Sequence, residues 1–334
     1  MATTVNGAFK EFMRDIVNLD SGDTKTARTS RDNLIDNIHT IGGKDDFFNL
    51  YSERDINFGS FARKTKIRPL DDIDIMICIS ADKSTYIEYS DRIEITVYHE
   101  DSAQATCCNA NSKILNSTKV INKFISELSL ISDYKKAELH KHGEAATLQL
   151  KSYTWNFDIV PCFYTAPTLD GKTYYIIPDG YGNWKKTDPS KDRDKITEAN
   201  QKHEGRMLDT IRIIKYWNKR PTMPSAPSYF LECLLLNYFD NMTTTASEYI
   251  DYRFRDALYH ISQSIYYTVN DPKEIQGDLN TMTYEEQRKI SDRALTDYNK
   301  AVEAVKLETQ DKDHKASIKK WGEILGSDFP TFTE

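Results

Sequence analysis

No run of apolar residues in this 334-residue sequence approaches the roughly eighteen needed to cross a bilayer, so no membrane-spanning helix is expected. Cysteine is scarce: the five present are odd in number and scattered, which excludes a disulfide framework and suits a reducing compartment. Cys107 and Cys108 are neighbours, but no CxxC or His-x-x-x-His spacing accompanies them, so a structural zinc is not expected. Positive charge is in deficit, with 44 basic against 51 acidic residues and a net charge of −7. That argues against an extended DNA- or RNA-binding surface, though not against a local basic pocket for a nucleotide. The segment MATTVNGAFKEF has no basic start followed by an apolar run, so no signal peptide is expected and the chain reads as cytoplasmic. Internal repeats, low-complexity segments and Pro- or Ser-rich linkers are also missing, so the parts should pack closely.

What is present fits a soluble globular chain: 39% hydrophobic and 28% charged residues, in a length that exceeds one ordinary domain. Helical spacing of Val5, Ala8, Phe12, Ile16 and Leu19 predicts a first helix, and a second should run from a cap at Asp23 or Thr24 to His39. Strands are expected in DIDIMICI, in RIEITVYHE, at 145–151, at 153–163 and at 173–178, with a helix at 111–131 among them. From about residue 194 the pattern is helical, near 195–219, 226–242, 248–269, 283–307 and 313–325. The expectation is an α+β fold: residues 1–194 form N-terminal helices plus a mixed sheet, residues 195–334 an all-α lobe, with a cleft between.

The stretch FGSFARKTKIRPLDDIDIMICI places Asp71, Asp72 and Asp74 at the start of an otherwise buried strand. A carboxylate packed on a strand without a partner costs about several kcal/mol, so something positive is expected there. Alternation puts Asp72 and Asp74 on one face, about 7 Å apart, and Asp71 on the other. Such a pair repels itself unless a divalent cation neutralises it, and oxygen ligands without His or Cys suit magnesium or manganese. Asp158, in YTWNFDIVP, is the candidate third carboxylate; the alternative is an ordinary ion pair at a strand end. Gly59-Ser60 precedes the pair by twelve residues and reads either as a turn or as a phosphate grip; no GxxxxGK[ST] is present, so there is no P-loop.

A second constellation lies in GRMLDTIRIIKYWNKRPTMPSAPSYFLECLLLNYF. Met207, Leu208, Ile211 and Ile214 mark a core face, and Arg212, Lys215 and Lys219 a cationic stripe. The stripe reads as a solvated face or, through Lys215, as a triphosphate contact. Ser228 and Tyr229 open the next helix, where a hydroxyl could join the phosphate and a ring could stack on a base; Tyr229 as a core aromatic fits equally. The segment IPDGYGNWKKTDPSKDRDK reads as a solvated connecting loop whose lysines could neighbour a nucleotide.

Taken in order, GSFARKTKIRPLDDIDIMI, FDIVP, IPDGYGNWKKTDP and RIIKYWN…SYFLE resemble the bacterial cGAS/DncV-like nucleotidyltransferases (CD-NTases) of CBASS antiphage defence. These belong to the polymerase-β-like superfamily, and the matching elements span residues 58–239. The resemblance implies a polymerase-β-like nucleotidyltransferase lobe packed on the helical lobe. It implies Asp72 and Asp74 as ligands of two Mg2+ ions (Mn2+ as an alternative) and Asp158 on the ion that activates the acceptor hydroxyl. It assigns Gly59 and Ser60 to the β- and γ-phosphates, Lys215 and Ser228 to the triphosphate and Tyr229 to a base. The implied reaction converts NTPs, with ATP, GTP or both as substrates, into a cyclic di- or trinucleotide read by a downstream effector. Two rivals stay open: linear addition of nucleotides to RNA or a small acceptor, and a catalytically idle nucleotide-binding module. The zinc insertion of the animal DNA sensor is not evident. The tail WGEILGSDFPTFTE should expose Phe329 and Phe332, with a C-terminal conjugation partner, known for many relatives, set against simple fraying or docking on the body.

Overall fold

The computed structural model describes residues 2–44, 46–221 and 224–333. It begins with α1 (Val5–Phe12), which runs into a π turn (Met13–Val17), then α2 (Ser21–Ile41), β1 (Ile56–Phe58) and the one-turn α3 (Gly59–Ala62). There follow β2 (Asp72–Cys78), β3 (Thr85–Glu88), β4 (Ile93–Thr96), α4 (Ser117–Leu130), β5 (Glu138–His142), β6 (Ala145–Gln149), β7 (Asn156–Tyr164), β8 (Tyr175–Pro178) and β9 (Trp184–Thr187). The remainder is α5 (Pro189–Lys202), α6 (Arg206–Lys219), α7 (Ser228–Asp240), α8 (Ile250–Ser264), α9 (Tyr284–Thr309) and α10 (His314–Leu325). The α+β reading holds: a mixed sheet precedes a helical region.

Two compact units emerge, and the division is discontinuous where a single cut at 194/195 was expected. One unit gathers residues 22–62 and 70–190; the other gathers 2–21, the strap 63–69 and 191–333. In the first, the strands run in the order β1-β2-β7-β8-β9-β4-β3, with β6 against the N-terminal half of β7 and β5 beyond it. β2 and β7 are parallel neighbours, in register from Asp72↔Asn156 to Cys78↔Cys162. Parallel strands read as nearly continuous apolar runs when both faces are covered. Ile73, Ile75 and Ile77, with Phe157 and Ile159, are buried on one face. Met76, Cys78, Val160, Cys162, Tyr175 and Ile177 cluster on the other. Helix α4, capped by the Asn116 side chain on Lys119 N–H, packs across β5, β6 and β7.

The connecting loop expected over 177–195 is instead largely structured, by β9 and the start of α5. Asp179 Oδ1 accepts the backbone N–H groups of Tyr181 and Asn183, and Gly180 and Gly182 take positive φ, which closes a hairpin. Trp184 is fully buried and its indole donates to Leu115 O at 2.9 Å, so β9 is a sheet strand. Polar composition hid it; one tryptophan fixes it.

In the helical unit, α1, α6, α7, α8, α9 and α10 share a core that includes Phe9, Phe12, Trp217, Phe230, Phe254 and Trp321. The helix expected over 195–219 is two: Gly205, at φ +85°, ends one and precedes the next. A capping box of Thr283 and Glu286 starts α9. The tail takes the docked alternative, and the exposure expected of its two phenylalanines is overturned. Phe329 is buried, edge-on to Phe9 at 5.0 Å and Phe12 at 5.2 Å, and Phe332 is partly buried against the same core. Thr333 N–H donates to Ala2 O, so the tail docks onto the chain's first residues.

Candidate active site on the sheet

Asp72, Asp74 and Asp158 come together on one face of the sheet. Asp74 stands in register with Asp158 across the parallel β2–β7 pair, and Asp72 with Asn156. Neighbouring strands lie about 4.8 Å apart, so the Asp74 and Asp158 side chains leave the sheet side by side. All three carboxylates are half-buried. Asp71 is exposed and outside the strand, as expected of a residue at its start.

Two further contacts shape this face. Gly59 opens α3 with φ +70°, and a Cβ there would fall inside the Asp74 carboxylate, so only glycine lets the backbone approach so closely. Ser60 follows in the same turn and is half-buried. On the other side, Thr147 Oγ1 donates to Asp158 Oδ1 at 2.6 Å. Beside Asp72, Asn156 turns a buried Oδ1 that finds no protein partner.

Whether this face suits divalent cations follows from its donors. They are hard oxygens without His or Cys, the set that magnesium, manganese or calcium prefers. The Gly59 approach and the orphaned Asn156 oxygen fit a site completed by something other than protein. As the side chains stand, no group of three or more His, Cys, Asp or Glu among the described residues is gathered closely enough to hold an ion. The backbone register is right for a metal-binding carboxylate face; the carboxylates have not closed on one point.

The helical-unit candidates are placed differently. Lys215 is buried, not on a solvated face, and its Nζ donates to Glu232 Oε1 at 2.7 Å. Glu232 Oε2 accepts from Arg63 Nε at 3.1 Å and Thr65 Oγ1 at 2.9 Å. Burial pushes the Glu232 carboxyl up, but Arg63 and Lys215 outweigh it and hold the group below the usual carboxylate range. Burial lowers the Lys215 ammonium against the pull of Glu232. Arg63 also pairs with Asp192 at 3.4 Å; there burial raises the Asp192 carboxyl against the pull of the guanidinium. Tyr229 donates its hydroxyl to Asp192 Oδ1 at 2.8 Å and accepts from Lys273 Nζ at 2.7 Å. Its ring lies near two cations, Arg63 at 5.1 Å and Lys273 at 4.3 Å. Ser228 is exposed at the first position of α7. Arg212 is half-buried, bound to Asp209 and Lys64 O, and Lys219 is exposed.

Sequence reasoning missed Glu232, Arg63, Asp192 and Thr147. For Glu232 a signal existed: a lone acid in SYFLECLLLNYF is the same anomaly that marked the strand aspartates. Arg63 and Asp192 lie 129 positions apart and Thr147 looks like an ordinary strand residue, so only the fold joins them to their partners.

The profile of the family described as "Second Messenger Oligonucleotide or Dinucleotide Synthetase domain" (SMODS) matches residues 3–200. The chain belongs to this family: it is a nucleotidyltransferase of the CD-NTase class, whose members make cyclic oligonucleotides, and the resemblance drawn from sequence is borne out. A probable cyclic nucleotide synthase of Bacillus cereus strain VD146 is 42% identical over 333 residues, 99% of each chain. Among solved structures, CdnC of E. coli MS115-1, seen in a complex with HORMA-deltaN, superposes with a TM-score of 0.65 at 18% identity, covering 97% of both chains. Vibrio cholerae DncV, a cyclic AMP-GMP synthase, gives 0.56 at 12% identity, covering 84% of this chain and 70% of that one. At such identities the last two speak for the fold. No helix among the described residues is long and apolar enough to cross a membrane.

Proposed function

We propose that the chain joins nucleoside triphosphates without a template into a cyclic di- or trinucleotide, with ATP, GTP or both as substrates. The reading rests on one observation above the rest: Asp72, Asp74 and Asp158 share a sheet face in strand register, with the Gly59 backbone pressed against Asp74. A ribose hydroxyl of one nucleotide attacks the α-phosphorus of another in line, and pyrophosphate departs. The linear product then turns, and a second attack closes the ring.

Nucleotidyltransferases of this family are generally metal-dependent; here the proposal is two Mg2+ ions, with Mn2+ able to substitute. Asp72 and Asp74 would hold both ions and Asp158 one. When bound, the ions supply neutralisation of charge at the attacking and leaving oxygens. The chain's own contribution is positioning, which with charge stabilisation accounts for most of the acceleration in phosphoryl transfer. Gly59 and Ser60 are proposed for the β- and γ-phosphates, Lys215 and Ser228 for the triphosphate, and Tyr229 for a base. For Lys215 this means that a phosphate competes with Glu232 for the ammonium, and for Tyr229 that a base shares the ring with cations. A HORMA-type regulator, a downstream effector of the product and a conjugation enzyme acting on the C-terminus are the proposed partners.

The test is incubation of the full chain with labelled NTPs and magnesium, followed by phosphatase treatment and mass spectrometry. A phosphatase-resistant cyclic product is expected, and its mass names the bases and the ring size. A ladder of linear products would mean addition to an acceptor instead; binding without turnover at any metal would mean an idle module.

A further inference from the structure

We propose that Thr147 is a positioning residue for the reaction: its hydroxyl fixes the plane of the Asp158 carboxylate and so sets the affinity of the sheet face for its divalent cation. This rests on the assignment of Asp158 just given.

Thr147 is 3% exposed, on the same face of β6 as the buried, apolar Ala145. A hydroxyl in such company needs a partner, because an unpaired one costs about 1–3 kcal/mol. Valine would fill the same volume at no such risk. The partner found is Asp158 Oδ1 at 2.6 Å, the short distance typical of a hydroxyl on an ionised oxygen.

Its direction matters. Asp158 lies in one cross-strand row between Asp74 on β2 and Thr147 on β6. The terminal torsion of an aspartate is soft, so a carboxylate facing another in register would rotate or swing away from it. Thr147 reaches it from the strand opposite Asp74. With Oδ1 committed on that side, Oδ2 is the oxygen left for the Asp74 side, where the cation is proposed. The β-branched threonine is itself stiff at χ1, so the anchor is fixed by the backbone of β6. Groups that orient a metal ligand commonly matter about ten- to a hundredfold in affinity or activity.

The test uses the full chain and two variants, Thr147→Val, which keeps shape and loses the donor, and Thr147→Ser, which keeps the donor. Manganese binding in the presence of a non-hydrolysable ATP analogue is measured by calorimetry, alongside turnover and thermal melting. Thr147→Val is expected to melt like the parent while its manganese affinity and kcat fall about ten- to a hundredfold. Thr147→Ser should recover most of both. A Thr147→Val protein that binds manganese like the parent overturns the proposal, as does a Thr147→Ser protein equally impaired, since packing would then be the cause. If Asp158→Ala itself leaves metal binding and turnover intact, the assignment of Asp158 fails first; a defective Asp158→Ala beside a normal Thr147→Val sinks the threonine alone.

Discussion

Helix α7 and strands β2 and β7 each place acids among apolar residues, and the two cases resolve differently. Glu232, 1% exposed on α7, brings its own cations: Arg63 and Lys215 contact it directly and Thr65 adds a hydroxyl. Asp72, Asp74 and Asp158 keep half-exposed surfaces in register on the sheet, and Asp158 takes a neutral hydroxyl rather than a guanidinium. A buried acid saturated by protein donors is a structural joint. An acid row that is half-exposed on a shared face keeps surface that cations from outside can reach.

Breaking the row should give the largest effect. Asp74→Ala is expected to remove several kcal/mol of transition-state stabilisation, roughly a thousandfold or more in product formation, while the variant still folds and melts cooperatively. Product assay and calorimetry on one preparation check both halves; an unfolded variant would make the row a joint like Glu232. Next comes Glu232→Gln, which leaves Lys215 as a buried cation without its anion and Arg63 with Asp192 alone. The expected loss is about 3–5 kcal/mol in denaturant melts, with folded protein at low temperature still making product. A fall in KM for NTP in the same variant would tie Lys215 to phosphate, because its competitor for the ammonium is gone.

Gly59→Ala sharpens the sheet side. The added methyl meets the Asp74 carboxylate and strains a backbone at φ +70°, so turnover should fall by about a hundredfold, while stability falls by only about 1–2 kcal/mol. The smallest effect is in acid. Because the folded Glu232 carboxyl titrates below its ordinary value of 4.5, its stabilisation is complete above that pH and is lost as pH falls through the folded value. Melting temperature against pH should therefore drop more steeply below about pH 4.5 in the parent than in Glu232→Gln. Parallel slopes would show that the Glu232 joint does not depend on its charge.

Much of this comparison was legible in the sequence. The aspartates of DIDIMICI stood out because charge on an apolar strand is improbable without a use, and alternation alone put Asp72 and Asp74 on one face. Asp158 was legible for the same reason. Lys215 was noticed, but its helical spacing fits a solvated stripe as well as a buried pair, and only the Glu232 contact decides. The exposure expected of Phe329 and the loop expected at β9 were misreadings, because Phe329 and Trp184 find their partners far away in sequence, at Phe9 and Leu115.

The sequence by itself determined the parts: which strand carries the acids, which face they take and the class of chemistry that hard oxygen donors allow. Those follow from local periodicity and side-chain type. The fold alone decided the pairings, Asp74 beside Asp158, Thr147 behind it and Glu232 between Arg63 and Lys215. Strand register and helix packing are set by the burial of many distant residues at once, and no local window contains that sum.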